Sequence, residues 1–314
     1  TQARRRLSVT RQDQVGQTSA GAYGQAEIEW APHVRTVLGL RGDVYWFDVT
    51  SDDPRNSGTA SDALLSPKAS VIFGPWSGTE FYINTGSGFH SNDARGATIT
   101  VDPVSGEPVE RVTPLAQARG AEIGLRTVRL PGVQSTVTVW TLGIDSELLF
   151  VGDAGATEAS RPSRRYGVEW TNYVQLRPWL TLDADVSFSR ARFTDDDPTG
   201  DRIAGAVAQV AALGVSVEEL RRVFGSVRLR YFGARPLVED GTVRSDATTL
   251  VNVQAGYRLS NRARLVVDVF NLLDAEDSDI DYFYASRLPG EGSEGVQDIH
   301  FHRVWISLGA TRTG

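Results

Sequence analysis

Asp298, His300 and His302 stand at i, i+2 and i+4. In an extended segment that spacing puts one carboxylate and two imidazoles on a single face, a donor set suited to a transition metal. An ordinary polar strand end has the same pattern. Asp277, Asp279 and Asp281 alternate likewise a little earlier, and three carboxylates would suit an oxygen-seeking cation such as calcium or simply a solvated loop. In the same stretch Asp279, Asp281, Tyr282, Tyr284 and Arg287 set aromatic surface beside charge. That arrangement fits an amphipathic small molecule such as a metal chelate or a sugar, although loop aromatics packing on one another would give it too. Asn92, Asp93 and Arg95 form a second polar group in another loop. The four histidines are His33, His90, His300 and His302, and no spacing ties any of them to a nucleophilic serine. No catalytic residue, enzymatic activity or cofactor is expected.

Each of these groups, His33 apart, lies in or beside a long polar stretch, so the elements that position them are the segments between. The clearest pair is Ala247 to Asp274. Thr249, Val251, Val253, Ala255, Tyr257 and Leu259 make one mostly apolar face, with Thr248, Asn252, Gln254 and Arg258 opposite. After Ser260-Asn261-Arg262, the residues Ala263, Leu265, Val267 and Val269 line one face again, against a mixed face of Arg264, Val266, Asp268 and Phe270. Period-two alternation is the mark of a strand. These runs reach about ten residues, the length of a tilted strand that crosses a bilayer rather than the 5 to 6 usual in soluble sheets.

Composition excludes several classes. With no Cys there is no disulfide framework or thiolate chemistry, and with no Met the chain does not start at an initiator, so Thr1 is read as a processed or cut end. A net charge of −7 argues against a nucleic-acid partner, and Arg4-Arg5-Arg6 is too short to change that. No run of 18 apolar residues forms a membrane helix, and no signal peptide is visible. The mean hydropathy of −0.24 is compatible with a transmembrane barrel, which is apolar only at alternate positions.

In chain order the alternating segments are Arg4 to Thr10, Ser19 to Trp30, Val34 to Val49, Ala63 to Phe73, Thr79 to Phe89, Ala118 to Leu130, Gln134 to Phe150, Arg164 to Arg177, Leu180 to Ser189, Ala206 to Val217, Val223 to Ala234, the pair above, and Ile299 to Ala310. That makes about fourteen strands, with Ser216 to Phe224 read as a turn despite some helical character. Connections alternate between short ones of about 2 to 5 residues and long ones of about 10 to 28, as in outer-membrane barrels with tight periplasmic turns and long extracellular loops. Trp30, Trp76 and Trp179 gather beside the short turns, where an interfacial girdle would sit. Arg41, Asp43, Glu169, Asp183, Asp185, Arg228 and Arg230 fall on the faces opposite the apolar ones, which suits a wetted lumen and not a packed core. A propeller would repeat about every 40 to 50 residues, and no such repeat occurs. The expected class is all-β: a single transmembrane antiparallel up-and-down β-barrel domain over residues 1–314, in contact with outer-membrane lipid.

The segment Leu250 to Glu291, in which a hairpin ends on Val269-Phe270-Asn271-Leu272-Leu273-Asp274, resembles the TonB-dependent outer-membrane receptors. Gly120 to Arg126 (GAEIGLR) and Thr36 to Val49 are similar to further strands of that family. The resemblance implies a receptor and transporter of a Gram-negative-type outer membrane that takes up a scarce nutrient, such as a ferric siderophore, using a 22-stranded barrel. It also implies a plug domain in the lumen and an N-terminal box that engages TonB as partner. Ligand capture would fall to extracellular loops. This chain shows neither plug nor box and only about fourteen strands, so it is read as the C-terminal part of such a barrel. It also ends Gly309-Ala310-Thr311-Arg312-Thr313-Gly314, without the terminal aromatic of family barrels. A stand-alone passive porin and a soluble all-β ligand-binding module are the alternatives.

Overall fold

In the computed structural model, which describes residues 9, 11–103, 105–151, 156–159, 161–276, 278–285, 295–301 and 305–312, the chain is almost wholly β-strand. Six hairpins with short turns follow one another. They are β1 (Asp13–Ala31) with β2 (Val34–Ser51), β3 (Gly58–Trp76) with β4 (Thr79–Ser91), and β5 (Leu115–Thr127) with β6 (Val133–Ile144). After the small hairpin of β7 (Leu148–Val151) and β8 (Ala156–Ala159) come β9 (Ser163–Arg177) with β10 (Leu180–Phe193), β11 (Gln209–Leu220) with β12 (Val223–Phe232), and β13 (Thr248–Ser260) with β14 (Ala263–Phe270). A second small hairpin, β15 (Ser278–Ala285) and β16 (Gly295–Phe301), precedes β17 (Trp305–Arg312).

The wall is one 13-stranded antiparallel meander in the order β1-β2-β3-β4-β5-β6-β9-β10-β11-β12-β13-β14-β17. These strands correspond one for one to the alternating segments of the sequence after Arg4 to Thr10, most of which lies outside the described residues. Among the described residues both outer strands are edges: β1 and β17 are not paired with each other. A small self-closed porin is therefore not what the described strands form.

Exposure follows the alternation. Ile123, Val139, Val168, Trp170, Phe188, Leu213, Val215 and Val227 share the outward face and are each 42% to 56% exposed. A continuous apolar band of that kind on a meander is lipid-facing surface. Trp30 and Trp76 are exposed at the short-turn end, where Trp30 donates its indole N–H to Thr36 at 3.0 Å.

The inner face is polar and is sealed in places by aromatic rings lying on glycines of the next strand. Tyr82 covers Gly124, Phe224 covers Gly256 and Trp140 covers Gly167. A Cβ at Gly167 would also stand 2.5 Å from the backbone oxygen of Phe188. Gly167→Val is expected to destabilise the wall by about 1–3 kcal/mol through overpacking, read as a lower temperature for loss of the compact electrophoretic form. Gly24→Ala, with nothing within 4 Å of its Cβ, should leave that temperature unchanged.

Several boundaries differ from the sequence reading. Half of the polar stretch 51–62 is strand, with a turn at Pro54–Asn56 between β2 and β3, and β1 begins six residues before Ser19. Beyond the bilayer both faces meet water, so the ladder continues after the apolar signal has ended. The expected strand Gln134 to Phe150 stops at Ile144, and Leu148 onward pairs with Ala156–Ala159 in a separate hairpin. The last expected strand, Ile299 to Ala310, divides: Ile299 to Phe301 belong to β16 of the loop hairpin, and the wall strand starts at Trp305. Finally, the loop before β5 holds one short helix, Ala94–Thr98.

The phrase that ends β14 has a local cause. Asn271 adopts φ +51°, a left-handed conformation that Asn tolerates. Its carboxamide accepts from the Ala275 N–H and donates to the Ala275 carbonyl, and its own N–H donates to Asn252 Oδ1. Strand β14 is thereby stopped and the chain turned into the long loop.

Candidate functional site: polar inner face and loop crown

Two regions could handle a ligand, the inner face of the wall and the crown of long loops above it. On the inner face, opposite charges meet along one strand and across cross-strand rows. Arg41 grips Asp43 through two bonds of 2.7 and 2.6 Å, and Asp43 is almost fully buried. Arg228 reaches Asp183 at 3.3 Å across Gly214 of β11. Asp185 and Arg230 likewise share one row across Ala212, and Glu169 lies on the inner face of β9. All seven inward charges read from the sequence are on that face.

Nearer the short turns, Arg35 joins Glu27 at 3.2 Å and Glu80 at 3.3 Å, and Arg126 also pairs with Glu80. Asn84 donates to Glu122 at 2.7 Å, and Tyr82 shares a 2.6 Å hydrogen bond with Thr138. Arg35, Glu80, Tyr82, Asn84, Glu122 and Arg126 line a pocket of about 480 Å³. The sequence reading passed over Glu80, Glu122 and Arg126. Strict alternation from Phe81, Ile83, Ile123 and Leu125 would have located them.

The crown is interlocked. The loop after β4 folds onto the inner side of β2 and β3, where Ala94 and Leu115 pack with Phe47 and Val49 and against Tyr45 and Phe89. Asn56, only 1% exposed, ties the β2–β3 turn to this loop: its carboxamide accepts from the N–H groups of Thr100 and Val101 and donates to Val101 O. Further round, Arg161 binds Asp195 and Glu239 at 2.6 and 2.8 Å, donates to Gly200 O at 2.9 Å and lies 4.3 Å over the Phe193 ring. Three loops meet at that one guanidinium. Arg235 then reaches Asp281 on β15 at 3.3 Å, both side chains nearly buried.

The residues singled out in the sequence divide between holding loops and standing free of description. Asn92 is buried, its carboxamide donating to Thr113 O at 2.6 Å and meeting His90. Asp93 caps the helix at 94–98 and holds Arg95 at 2.5 Å. Burial pushes the Asp93 carboxyl up, but the hydrogen bonds and charge of Arg95 outweigh it and leave the group below its ordinary value. Asp279, Tyr282 and Tyr284 lie on β15, whereas Arg287 lies outside the described residues. Asp298 and His300 are on β16, Asp298 opposite Tyr282, and not at the start of the wall strand. His302 and Asp277 lie outside the described residues. Among the described residues no group of three or more His, Asp or Glu gathers into a metal site.

The Arg161 hydrogen bond holds Asp195 below the ordinary carboxylate range, and Thr199 and Thr242 do the same for Asp197 and Asp240. A depressed pKa adds stability that is present above the ordinary value, about 3.9, and is lost as pH falls through the lower folded value. A spin label at Val238→Cys, in a chain without native cysteine, should thus keep one mobility from about pH 8 to pH 5 and become mobile only in stronger acid, below about pH 4. Mobility rising near neutral pH would contradict the assignment.

Comparison with known proteins now bears on this geometry. The wall superposes on the ferric-catecholate import receptor Fiu of E. coli K12 (TM-score 0.73, 15% identity) and the ferric yersiniabactin uptake receptor FyuA of Yersinia pestis (TM-score 0.76, 15% identity). It also superposes on the siderophore receptor PiuA of Acinetobacter baumannii (TM-score 0.71, 14% identity). In each case 96% of this chain is covered, and 45%, 46% and 44% of the other. The chain thus spans less than half the length of these structures. No curated protein matches it in sequence. The family model described as TonB dependent receptor-like, beta-barrel, matches residues 2–272. With its lipid-facing band, polar inner face and long-loop crown, this chain is an outer-membrane β-barrel wall that belongs to the TonB-dependent receptor-like family.

Proposed function

We propose that this chain supplies the C-terminal wall and extracellular loops of a larger, 22-stranded receptor that takes up a scarce nutrient carried as a metal chelate, such as a ferric siderophore. Energy would come from TonB, engaged through a region outside this sequence. The observation that carries the reading is the pairing of a polar inner face with a crown of interlocked loops on one open-edged wall. The two edges have backbone groups for further strands, and the similar structures are about twice as long. A soluble binding module would not carry an exposed apolar band of this extent.

Within the crown, the β15–β16 hairpin is the capture element. Tyr282 and Tyr284 with Asp279 and Arg287 offer aromatic surface and charge to a chelate, and Asp298, His300 and His302 are the donors suited to its metal. Asn92, Asp93, Arg95 and Asp281 are assigned to ligand capture as well, from loops whose shape they help to fix. Uptake of labelled ferric and cupric chelates into cells with and without the gene tests this. The reading expects saturable uptake of at least one chelate that vanishes when either the gene or TonB is removed. Uptake that persists without TonB would make the protein a passive channel, and no difference for any chelate would overturn the reading.

A further inference from the structure

Five arginines occupy one corner of the outer wall, four on its strands facing away from the lumen and Arg202 in the loop after β10. The ladder sets Arg119 of β5 opposite Gly143 of β6, Gly143 opposite Arg164 of β9, and Arg164 opposite Arg192 of β10. Arg192 in turn bridges to Arg202, and Arg190 stands two residues away on the same face. Neighbouring strands are about 4.8 Å apart, so the row spans only a few strand widths.

Its face is the lipid face. Along the strands from these arginines toward the short turns, the same side carries Ala121 and Ile123 on β5, Tyr166, Val168 and Trp170 on β9, and Phe188 and Val186 on β10. Every charged residue on the outward faces of β5, β6, β9 and β10 is an arginine. Arg119, Arg164 and Arg190 are exposed, and among the described residues none of the three meets a carboxylate. Among the described residues Arg119 donates to Gln117 alone. Arg192 pairs with Asp201, with Arg202 3.8 Å from the same carboxylate.

Like charges directly opposite on a ladder destabilise it. Three unneutralised guanidiniums where the apolar band gives way to the loops match an anion supplied from the membrane surface. We infer that this row binds the phosphate headgroup of an outer-leaflet lipid, whose acyl chains lie on the wall beneath. The wall is shaped for such a chain beside Arg119. Pro67 brings no N–H to a ladder, and the β3–β4 pairing ends at its neighbour Lys68. The result is a groove of about 870 Å³ between Leu38 and Leu65 on one side and Ala121 and Arg119 on the other, with Ala69 in its floor. Guanidinium and phosphate pair through two parallel charged hydrogen bonds.

The test is lipid retention by the purified protein in nonionic detergent, read by native mass spectrometry. The two probes are diphosphoryl lipid A and the same lipid stripped of its phosphates. The diphosphoryl form should bind and the stripped form should bind at least about tenfold more weakly, one decade being the loss of a single charged contact. The triple variant Arg119→Gln, Arg164→Gln, Arg190→Gln should lose binding to a similar degree, while the triple Arg→Lys variant, which keeps the charge but not the fork, should fall between it and the unchanged protein. Equal retention of the two lipids overturns the inference, as does full retention by a glutamine variant that shows the normal compact electrophoretic form. Displacement of the lipid by millimolar inorganic phosphate alone would also overturn it, reassigning the row to a soluble anion. If the glutamine variant does not fold, the two-lipid comparison on the unchanged protein decides.

Discussion

Arg235→Ala is expected to free the β15–β16 hairpin from the crown, at a cost of about 3–5 kcal/mol to that contact. The Arg235 and Asp281 side chains are 9% and 4% exposed and meet at 3.3 Å. Removing the guanidinium leaves a buried carboxylate without its charge partner, and its second oxygen, Oδ1, already has no hydrogen-bond partner among the described residues. The Arg235 backbone would hold its place, because its N–H donates to Ser245 Oγ and its carbonyl accepts from the Ser245 N–H. The effect should accordingly be confined to docking. It is read as faster tryptic cleavage in residues 271–304 with the wall still compact. Arg235→Leu combined with Asp281→Leu should restore resistance, since replacing a buried pair by apolar groups is often neutral or stabilising. Equal cleavage in the single and double variants would show that the ion pair is not what holds the hairpin.

Gly200→Val is the second large effect, at about 2–4 kcal/mol from overpacking and backbone strain together. Gly200 has φ +122°, a region that residues with a Cβ rarely enter. A Cβ there would also collide with the Glu239 backbone oxygen and lie 2.6 Å from its carbon and 2.7 Å from Asp240 N. Backbone cannot swing aside as a long side chain can, so the loop after β10 must leave the loop after β12. The Arg202 N–H to Glu239 O bond of 2.9 Å and the Arg161 bond to Gly200 O would go with it. Gly205→Ala, also at positive φ but with nothing within 4 Å, separates strain from collision and should cost about 1 kcal/mol. Thermal loss of ordered spin-label signal at Val238→Cys distinguishes the two, with the valine variant melting first. Equal melting would mean that the loop contact contributes nothing.

The wall was legible in the sequence because lipid imposes a rule at every second residue. Val168, Trp170 and Phe188 could not be polar, while Glu169, Asp183 and Asp185 between them face water. The resemblance added what alternation cannot, namely the family. Above the bilayer the rule lapses. Strand β3 continues through Gly58 to Asp62 with polar residues on both sides, so the ladder was invisible there. The two small hairpins were missed for the same reason, and with them the true start of β17. Roles within the loops were less legible still. Asn92 and Asp281 are the residue types of a ligand site, yet Thr113 and Arg235 claim them, and such partners are brought by tertiary folding from 21 and 46 residues away. The outward arginine row was hidden as well, since Arg119, Arg164 and Arg192 share a line only once β5, β6, β9 and β10 are in register.

The most direct test of a wall with one face to lipid and the other to a watery lumen uses the absence of cysteine from this sequence, with any cysteine outside it replaced by serine. Single cysteines placed from Val168 to Val174 on β9, in the full-length protein in outer-membrane vesicles, would carry spin labels whose relaxation by oxygen and by a water-soluble nickel complex is compared. Positions 168, 170, 172 and 174 should respond chiefly to oxygen, and positions 169, 171 and 173 chiefly to nickel, alternating without a break. A uniform response, or one with a helical period, would contradict the barrel.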